Sequence, residues 1–244
     1  MKYRETLYSN YHTTQSGRAS LTDAKSLFER EKWRFTKEIL PLIEIPKTGN
    51  ILDIGCGSGS FLKALSENGF ESIKGIDLSE EQVNLAHKFG VESVQQGDII
   101  TFLNNTTEKF DLISGLDIIE HFTKDELVDL LKLIREKLNK DGLAIFRTPN
   151  LDAPIATVYA NGDFTHENYM NASSAQQVLM ACGFKEVKVF ESNMEIPQFS
   201  KELMRKCVMV LMRLRFKLTL FATGRSTRNV LLSPNMVIFA KNNG

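Results

Sequence analysis

From residue 50 onward, short apolar runs alternate with stretches whose apolar residues recur every three or four positions. This alternation predicts βαβ units that feed a parallel sheet. The runs predict strands at 50–54, 72–77, 91–94, 110–115, 142–148, 185–191 and 234–241. Three helix starts carry capping boxes, Ser79 with Gln82, Thr123 with Glu126 and Ser173 with Gln176. The helix over 123–138 sets Leu127, Leu130, Leu131, Ile134 and Leu138 on one stripe and charges on the other, and it stops at Asn139 and Gly142. A helical lead-in runs from about Thr22 to Leu40, where Pro41 ends it. A long insertion, roughly 197–228, has helical character and separates the last two strands.

Composition narrows the picture. With 244 residues and 42% hydrophobic content, the chain can bury one substantial core, so a single domain is expected. Thirty basic and thirty acidic side chains cancel, so nucleic-acid or membrane affinity would have to come from a local patch. Cys56, Cys182 and Cys207 are too few and too scattered for a disulfide framework or a zinc site, which points to a reducing, cytoplasmic setting. The polar, Tyr-rich start reads as neither a secretory signal nor an anchor. The longest apolar run near the C-terminus, Cys207–Met212, falls far short of the ~20 residues that span a bilayer.

The first strand, Ile51-Leu52-Asp53-Ile54, runs into Gly55-Cys56-Gly57-Ser58-Gly59 and a helix from near Ser60. In a doubly wound sheet such a turn lies at the carboxyl edge, where its amides approach a ligand closely and the helix start favours negative charge. The spacing is G-x-G-x-G and lacks the third glycine of the dinucleotide fingerprint. Asp77 closes the second strand, 24 residues after Asp53, where a carboxylate can accept ribose hydroxyls. Gln96-Gly97-Asp98-Ile99 follows the third strand. Taken singly, Asp53 reads as a turn cap and Asp77 and Asp98 as solvated loop acids. In order, they resemble the cofactor motifs of class I, Rossmann-like S-adenosylmethionine-dependent methyltransferases. The resemblance implies a seven-stranded, mostly parallel sheet with an antiparallel last strand and helices on both faces. It also implies cofactor contacts at Asp53, Gly55, Cys56, Gly57, Gly59, Asp77, Leu78, Gly97, Asp98, Ile99 and Leu116, the acid after the third strand facing the adenine amino group.

At the end of the fourth strand stands Asp117-Ile118-Ile119-Glu120-His121. If a helical turn forms there, Asp117 and Glu120 share a face, and a hard cation could use their oxygens with an imidazole beside them. The D-x-x-E-H pattern resembles methyltransferases acting on quinone-precursor hydroxyls and on the terminal ribose of small RNAs, some of which bind a divalent metal. That resemblance makes Asp117, Glu120, His121 and the downstream His166 a candidate metal set. The alternative uses no metal, with His121 as general base or substrate-orienting group and His166 as a substrate-side base. All four are candidate catalytic residues.

The segment around Tyr3, Tyr8, Tyr11 and His12, together with Glu31-Lys32-Trp33-Arg34, precedes the first strand, where class I enzymes build a lid. Arg34 is a candidate partner for the methionine carboxylate; the plain alternative packs Trp33 and Phe35 on the sheet and leaves Arg34 solvated. Leu7–Thr14, Thr148-Pro149-Asn150, Phe164-Thr165-His166-Glu167 and Gly183-Phe184 resemble methyltransferases of capsule and O-antigen polysaccharide biosynthesis. The insertion carries Lys201, Arg205, Lys206, Arg213, Arg215, Lys217, Arg225 and Arg228 against one acid, Glu202, with apolar residues between them. This suits a helix resting on a membrane surface, a dimer face, a cap over a phosphate-bearing substrate, or a partly buried helix with a solvated basic face.

The expected organisation is one methyltransferase domain, with a helical lid over 1–45, a cofactor-binding core over 50–196, a basic helical insertion over 197–230 and the last strand over 231–244. The expected chemistry is S-adenosylmethionine-dependent O-methylation of a sugar or polysaccharide precursor, a small molecule or glycan, at the inner face of the membrane or free in the cytoplasm. Alternatives are a quinone-type O-methyltransferase, a small-RNA 2′-O-methyltransferase, which the lack of a basic excess disfavours, and a catalytically silent cofactor-binding module.

Overall fold

The computed structural model describes residues 4, 6, 7, 21–192, 195, 196, 198–224, 226 and 230–243. Tyr3, Tyr8, Tyr11, His12, Arg225 and Arg228 lie outside the described residues. Seven strands form one sheet: β1 (Asn50–Ile54), β2 (Ser72–Asp77), β3 (Val94–Gln96), β4 (Phe110–Leu116), β5 (Leu138–Pro149), β6 (Glu186–Glu191) and β7 (Asn235–Lys241). Their order is β3-β2-β1-β4-β5-β7-β6. Pairing is parallel from β3 through β5, and β7 inserts antiparallel between β5 and β6. The predicted mixed sheet is therefore present, and its reversal between β1 and β4 opens a crevice at the carboxyl edge.

Eight α-helices of the described residues connect or cover the strands: α1 (Leu21–Glu38), α2 (Ser60–Glu67), α3 (Glu80–Lys88), α4 (Ile99–Asn105), α5 (Lys124–Lys137), α6 (Ala156–Ala160), α7 (Ala172–Ala181) and α8 (Phe199–Ala222). One apolar cluster packs α5 and α7 on the sheet through Leu127, Leu130, Ile134, Ala175 and Leu179 against Ile113, Phe146 and Ile238. The other packs α1, α2 and α3 on the opposite face through Phe28, Phe35, Phe61, Leu65 and Val83 against Ile51, Leu112 and Ile145. The α5 side of the first cluster is the stripe that the helical periodicity predicted, and sandwiching fixes the carboxyl ends of β1, β2 and β4 at one edge.

Three local expectations are corrected. β3 lies over Val94–Gln96 rather than 91–94, because Val91 turns inward to pack above Gly59 while Val94 pairs with Gly75. α7 is capped by Asn171 with Ser174 in place of Ser173 with Gln176; the Asn171 side chain accepts from Ser174 N, and the Ser174 hydroxyl lies 3.0 Å from Asn171 N. β5 begins at Leu138 rather than at 142. Leu138 pairs with Phe110, a bulge follows, and Asn242 Nδ2 lies 3.2 Å from the carbonyls of Arg135, Leu138 and Asn139, closing the bend that sequence alone reads as a helix stop.

Candidate active site

The glycine-rich turn is shaped by backbone that a side chain would disturb. Gly55 has φ +64, and a Cβ there would lie 2.6 Å from Ile118 Cγ1. Gly59, with φ +78, ends the turn as the N-cap of α2, whose first residues, Ser60 and Phe61, line the crevice. The Asp77 carboxylate fastens the turn to β2: Oδ2 accepts from Gly57 N at 2.8 Å and Oδ1 from Ser79 N at 2.8 Å. Burial raises the Asp77 carboxyl while these two amide bonds hold it down. Asp53 is more enclosed still. It accepts a 2.6 Å bond from the Ser114 hydroxyl, and burial pushes it up to about 7.

Above this turn lies a cavity of about 310 Å³. Of the predicted cofactor residues, Asp53, Gly55, Cys56, Gly57, Asp77, Leu78, Asp98, Ile99 and Leu116 line it. Gly59, Gly97 and Arg34 do not. Gly97 instead donates its N–H to the Asp77 carbonyl. Arg34 stands behind the wall residue Asp117, with Nη2 4.0 Å from Oδ2. Asp98 is a helix cap as well as a wall residue, since Oδ1 accepts from Thr101 N and Thr101 Oγ1 at 2.8 Å. The roof is α1, which contributes Ala24, Leu27, Glu31 and Phe35.

Beside the cavity is an ionic group that the sequence reading passed over. Arg147, nearly fully buried in β5, pairs with Asp117 and places Nε 3.9 Å from Glu38 Oε2. An arginine amid the apolar run of β5 was its one visible signal. Glu38, two turns beyond Glu31 on α1, offered no signal of its own. Asp117 adopts φ 58 at the end of β4, and its N–H donates to the Arg147 carbonyl, so the pair is fixed by backbone as well as charge.

Past Asp117 the chain makes a short 3₁₀ turn, Ile119–His121. His121 is buried and lines the cavity. Thr165 Oγ1 donates to Asp163 Oδ1 at 2.6 Å, so the 2.8 Å contact between Thr165 Oγ1 and His121 Nδ1 makes Nδ1 the donor and puts the imidazole lone pair on Nε2. Burial, reinforced by His166, pushes His121 down to about 4. His166 donates Nδ1–H to the Ala160 carbonyl at 2.7 Å, so its lone pair is also on Nε2. The two rings stand edge to face with centroids 4.8 Å apart. What joins these distant segments is the Glu120 carbonyl, which accepts from Glu167 N at 2.8 Å and Asn168 N at 3.0 Å. Burial and the nearby Asp117 push the Glu120 carboxyl up to about 8.

A second cavity, about 440 Å³, opens beyond His166 and is lined by Asn161, Asp163, Phe164, Glu167 and Tyr169. The histidine pair thus stands between the two cavities. Of the candidate metal set, Glu120, His121 and His166 come together with donor atoms within 4.8 Å of one another. Asp117 does not join them, because Arg147 holds it. Ligands bonded to one zinc-sized ion lie roughly 3–3.5 Å apart, closer than the 4.8 Å outer spacing of this set. The four-residue metal shell is not assembled.

Comparison with known proteins gives the family. The curated relatives include the ubiquinone biosynthesis O-methyltransferase of Actinobacillus pleuropneumoniae serotype 7, 31% identical over 109 residues, which are 41% of this chain and 45% of the relative. A putative methyltransferase, YqeM, of Bacillus subtilis is 28% identical over 133 residues, covering 51% of each chain. The chain spans about half the length of the curated relatives it matches. Among solved structures, a SAM-dependent methyltransferase from Archaeoglobus fulgidus superposes with a TM-score of 0.67 at 22% identity, covering 88% of this chain and 94% of the other. Phosphoethanolamine N-methyltransferase 2 of Haemonchus contortus, solved with S-adenosyl-L-methionine, gives 0.58 at 19% identity, covering 96% of this chain and 59% of the other. A family model described as a methyltransferase domain matches residues 27–189, and the chain belongs to that methyltransferase family.

Proposed function

We propose that this protein transfers the methyl group of S-adenosylmethionine to a hydroxyl of a polar, carbohydrate-like acceptor. The observation that carries this reading is the His121–His166 pair, set between a glycine-walled cavity and a second cavity rich in polar side chains.

The first cavity suits the methyl donor. Asp77 is the candidate ribose acceptor, Asp98 and Ile99 flank the adenine end, and the amides that open α2 favour the methionine carboxylate. Glu31 and Asp117 add carboxylates to the wall, which favours a cationic ligand. When bound, the donor supplies an electrophilic methyl on a positively charged sulfur, and alignment of the acceptor oxygen accounts for much of the acceleration. The remaining task is to remove the hydroxyl proton. His121 performs it: Nε2 carries a lone pair, Nδ1–H is held by Thr165, and Asp163 behind Thr165 favours the imidazolium that forms. His166 and Glu167 orient the acceptor from the second cavity.

A carbohydrate acceptor is favoured by Asn161, Asp163 and Glu167, which offer hydrogen bonds, and by Phe164 and Tyr169, which offer faces for a sugar ring. A quinone-type acceptor is the second reading, supported by the printed names of the relatives. Assaying methyl transfer from S-adenosylmethionine to nucleotide sugars and to a catechol separates them. Turnover of the sugars alone is the expected result, and turnover of the catechol alone overturns the carbohydrate reading. Failure of the folded protein to bind S-adenosylmethionine in calorimetry overturns methyl transfer itself.

A further inference from the structure

α8 presents its faces in the reverse of the usual order. Arg205, Met209, Met212, Phe216 and Leu220 recur at helical spacing and are half-buried, so this is the more sheltered side of the helix. The outward stripe, Leu203, Val210, Leu211, Leu214, Leu218 and Phe221, is apolar and exposed, with Leu211 at 68% and Phe221 at 80%. No residue of this 24-residue helix is buried. A surface helix of a water-facing protein would turn such a stripe inward, and a contiguous exposed apolar face marks an interaction surface.

The charges indicate the partner. The helix bears six basic side chains and the single acid Glu202. At helical spacing, Lys206, Arg213 and Lys217 border one side of the apolar stripe, and Lys201 and Arg215 border the other. Apolar side chains rimmed on both sides by long cations match a bilayer surface, where the stripe enters the acyl boundary and the cations reach anionic headgroups. A flat apolar partner surface would leave both rims unmatched. The helix is too polar to cross the bilayer, and no helix of the described residues is long and apolar enough to do so.

Its location adds a consequence. β6 ends and β7 begins at the carboxyl edge of the sheet, the edge that carries the glycine-rich turn, and α8 lies in the connection between them. Arg213 pairs with Glu191 at the end of β6, which ties the helix to that edge. Ile155, Val158 and Phe164, on the connection after β5, expose further apolar side chains there.

We propose that α8 is an interfacial helix that docks the protein on a bilayer containing anionic lipid, with the catalytic edge toward the membrane. The docking goes beyond the methyl-transfer reading and does not depend on it. The test is flotation of the full chain with vesicles of phosphatidylcholine alone or mixed with phosphatidylglycerol, with S-adenosylmethionine binding measured in parallel so that the two readings fail separately. The expected result is binding at least about tenfold stronger to the mixed vesicles, weakened by salt. L211E/L214E, on the exposed stripe, abolishes flotation while leaving the circular dichroism spectrum unchanged. K201E/R215E/K217E lowers it about tenfold or more. Absence of flotation with either vesicle overturns the proposal, as does flotation indifferent to both variants. A dimer in sedimentation velocity that L211E/L214E dissociates, with no flotation, overturns it in favour of a second copy of the chain.

Discussion

Replacing His121 by asparagine tests the electrostatics of the site most directly. Asn Nδ2 can occupy the place of the imidazole Nδ1 and keep the bond to Thr165, so H121N removes the titrating group with little change of shape. In the folded protein the imidazole is pushed from 6.5 down to about 4. The unfolded chain therefore binds this proton more tightly, and the contribution of neutral His121 to stability is present near pH 7 and is lost as pH falls through 6.5 toward 4. The drop is worth about 3 kcal/mol in full and about 2 kcal/mol between pH 7 and pH 5. Asp53 and Glu120 act in the opposite sense: raised to about 7 and about 8, they oppose folding as pH rises from their unfolded values. The slope of the wild-type protein is thus a sum, and its difference from H121N isolates the histidine. Urea unfolding at pH 7 and pH 5, followed by the fluorescence of the single Trp33, should show the wild type losing about 2 kcal/mol more than the variant. Equal losses would refute the claim that His121 is held neutral by burial.

Other outcomes follow from the same geometry. R147M leaves the buried Glu38 without its cation and Asp117 with Arg34 alone, and should cost about 3–5 kcal/mol in chemical denaturation; an unchanged midpoint would remove Arg147 from that role. G55A forces a Cβ against Ile118 at φ +64, so the melting temperature should fall and S-adenosylmethionine binding weaken, both read in one thermal-shift titration. D77N keeps one strong acceptor where the structure uses two, which frees an amide of Gly57 or Ser79; calorimetry should give at least about tenfold weaker S-adenosylmethionine binding. If even D77A binds normally, the ribose assignment is wrong. Methyl transfer should survive excess EDTA, and activity lost on chelation but restored by Mn²⁺ would give Glu120, His121 and His166 to a metal.

The sequence by itself determined the sheet class and most strands, because apolar period and turn chemistry are local properties that each segment carries alone. It also pointed to most of the wall of the first cavity: the G-x-G-x-G turn after a strand, with Asp77 and Asp98 at later strand ends, is a local pattern. Local boundaries failed where a distant residue decided them, as when Asn242 closes the bulge that begins β5. The tertiary structure alone decided the rest of the site. Arg34 and Arg147 are equally basic in sequence, yet packing buries Arg147 between two carboxylates and leaves Arg34 partly exposed beside Asp117. His121 and His166 are brought together by a backbone carbonyl at Glu120 that receives two amides from 47 and 48 residues downstream. The exposure of the apolar stripe on α8 is likewise visible only in the folded chain, since the same spacing would equally suit a buried face. Pairings between distant segments depend on how the chain closes, and no local pattern encodes them.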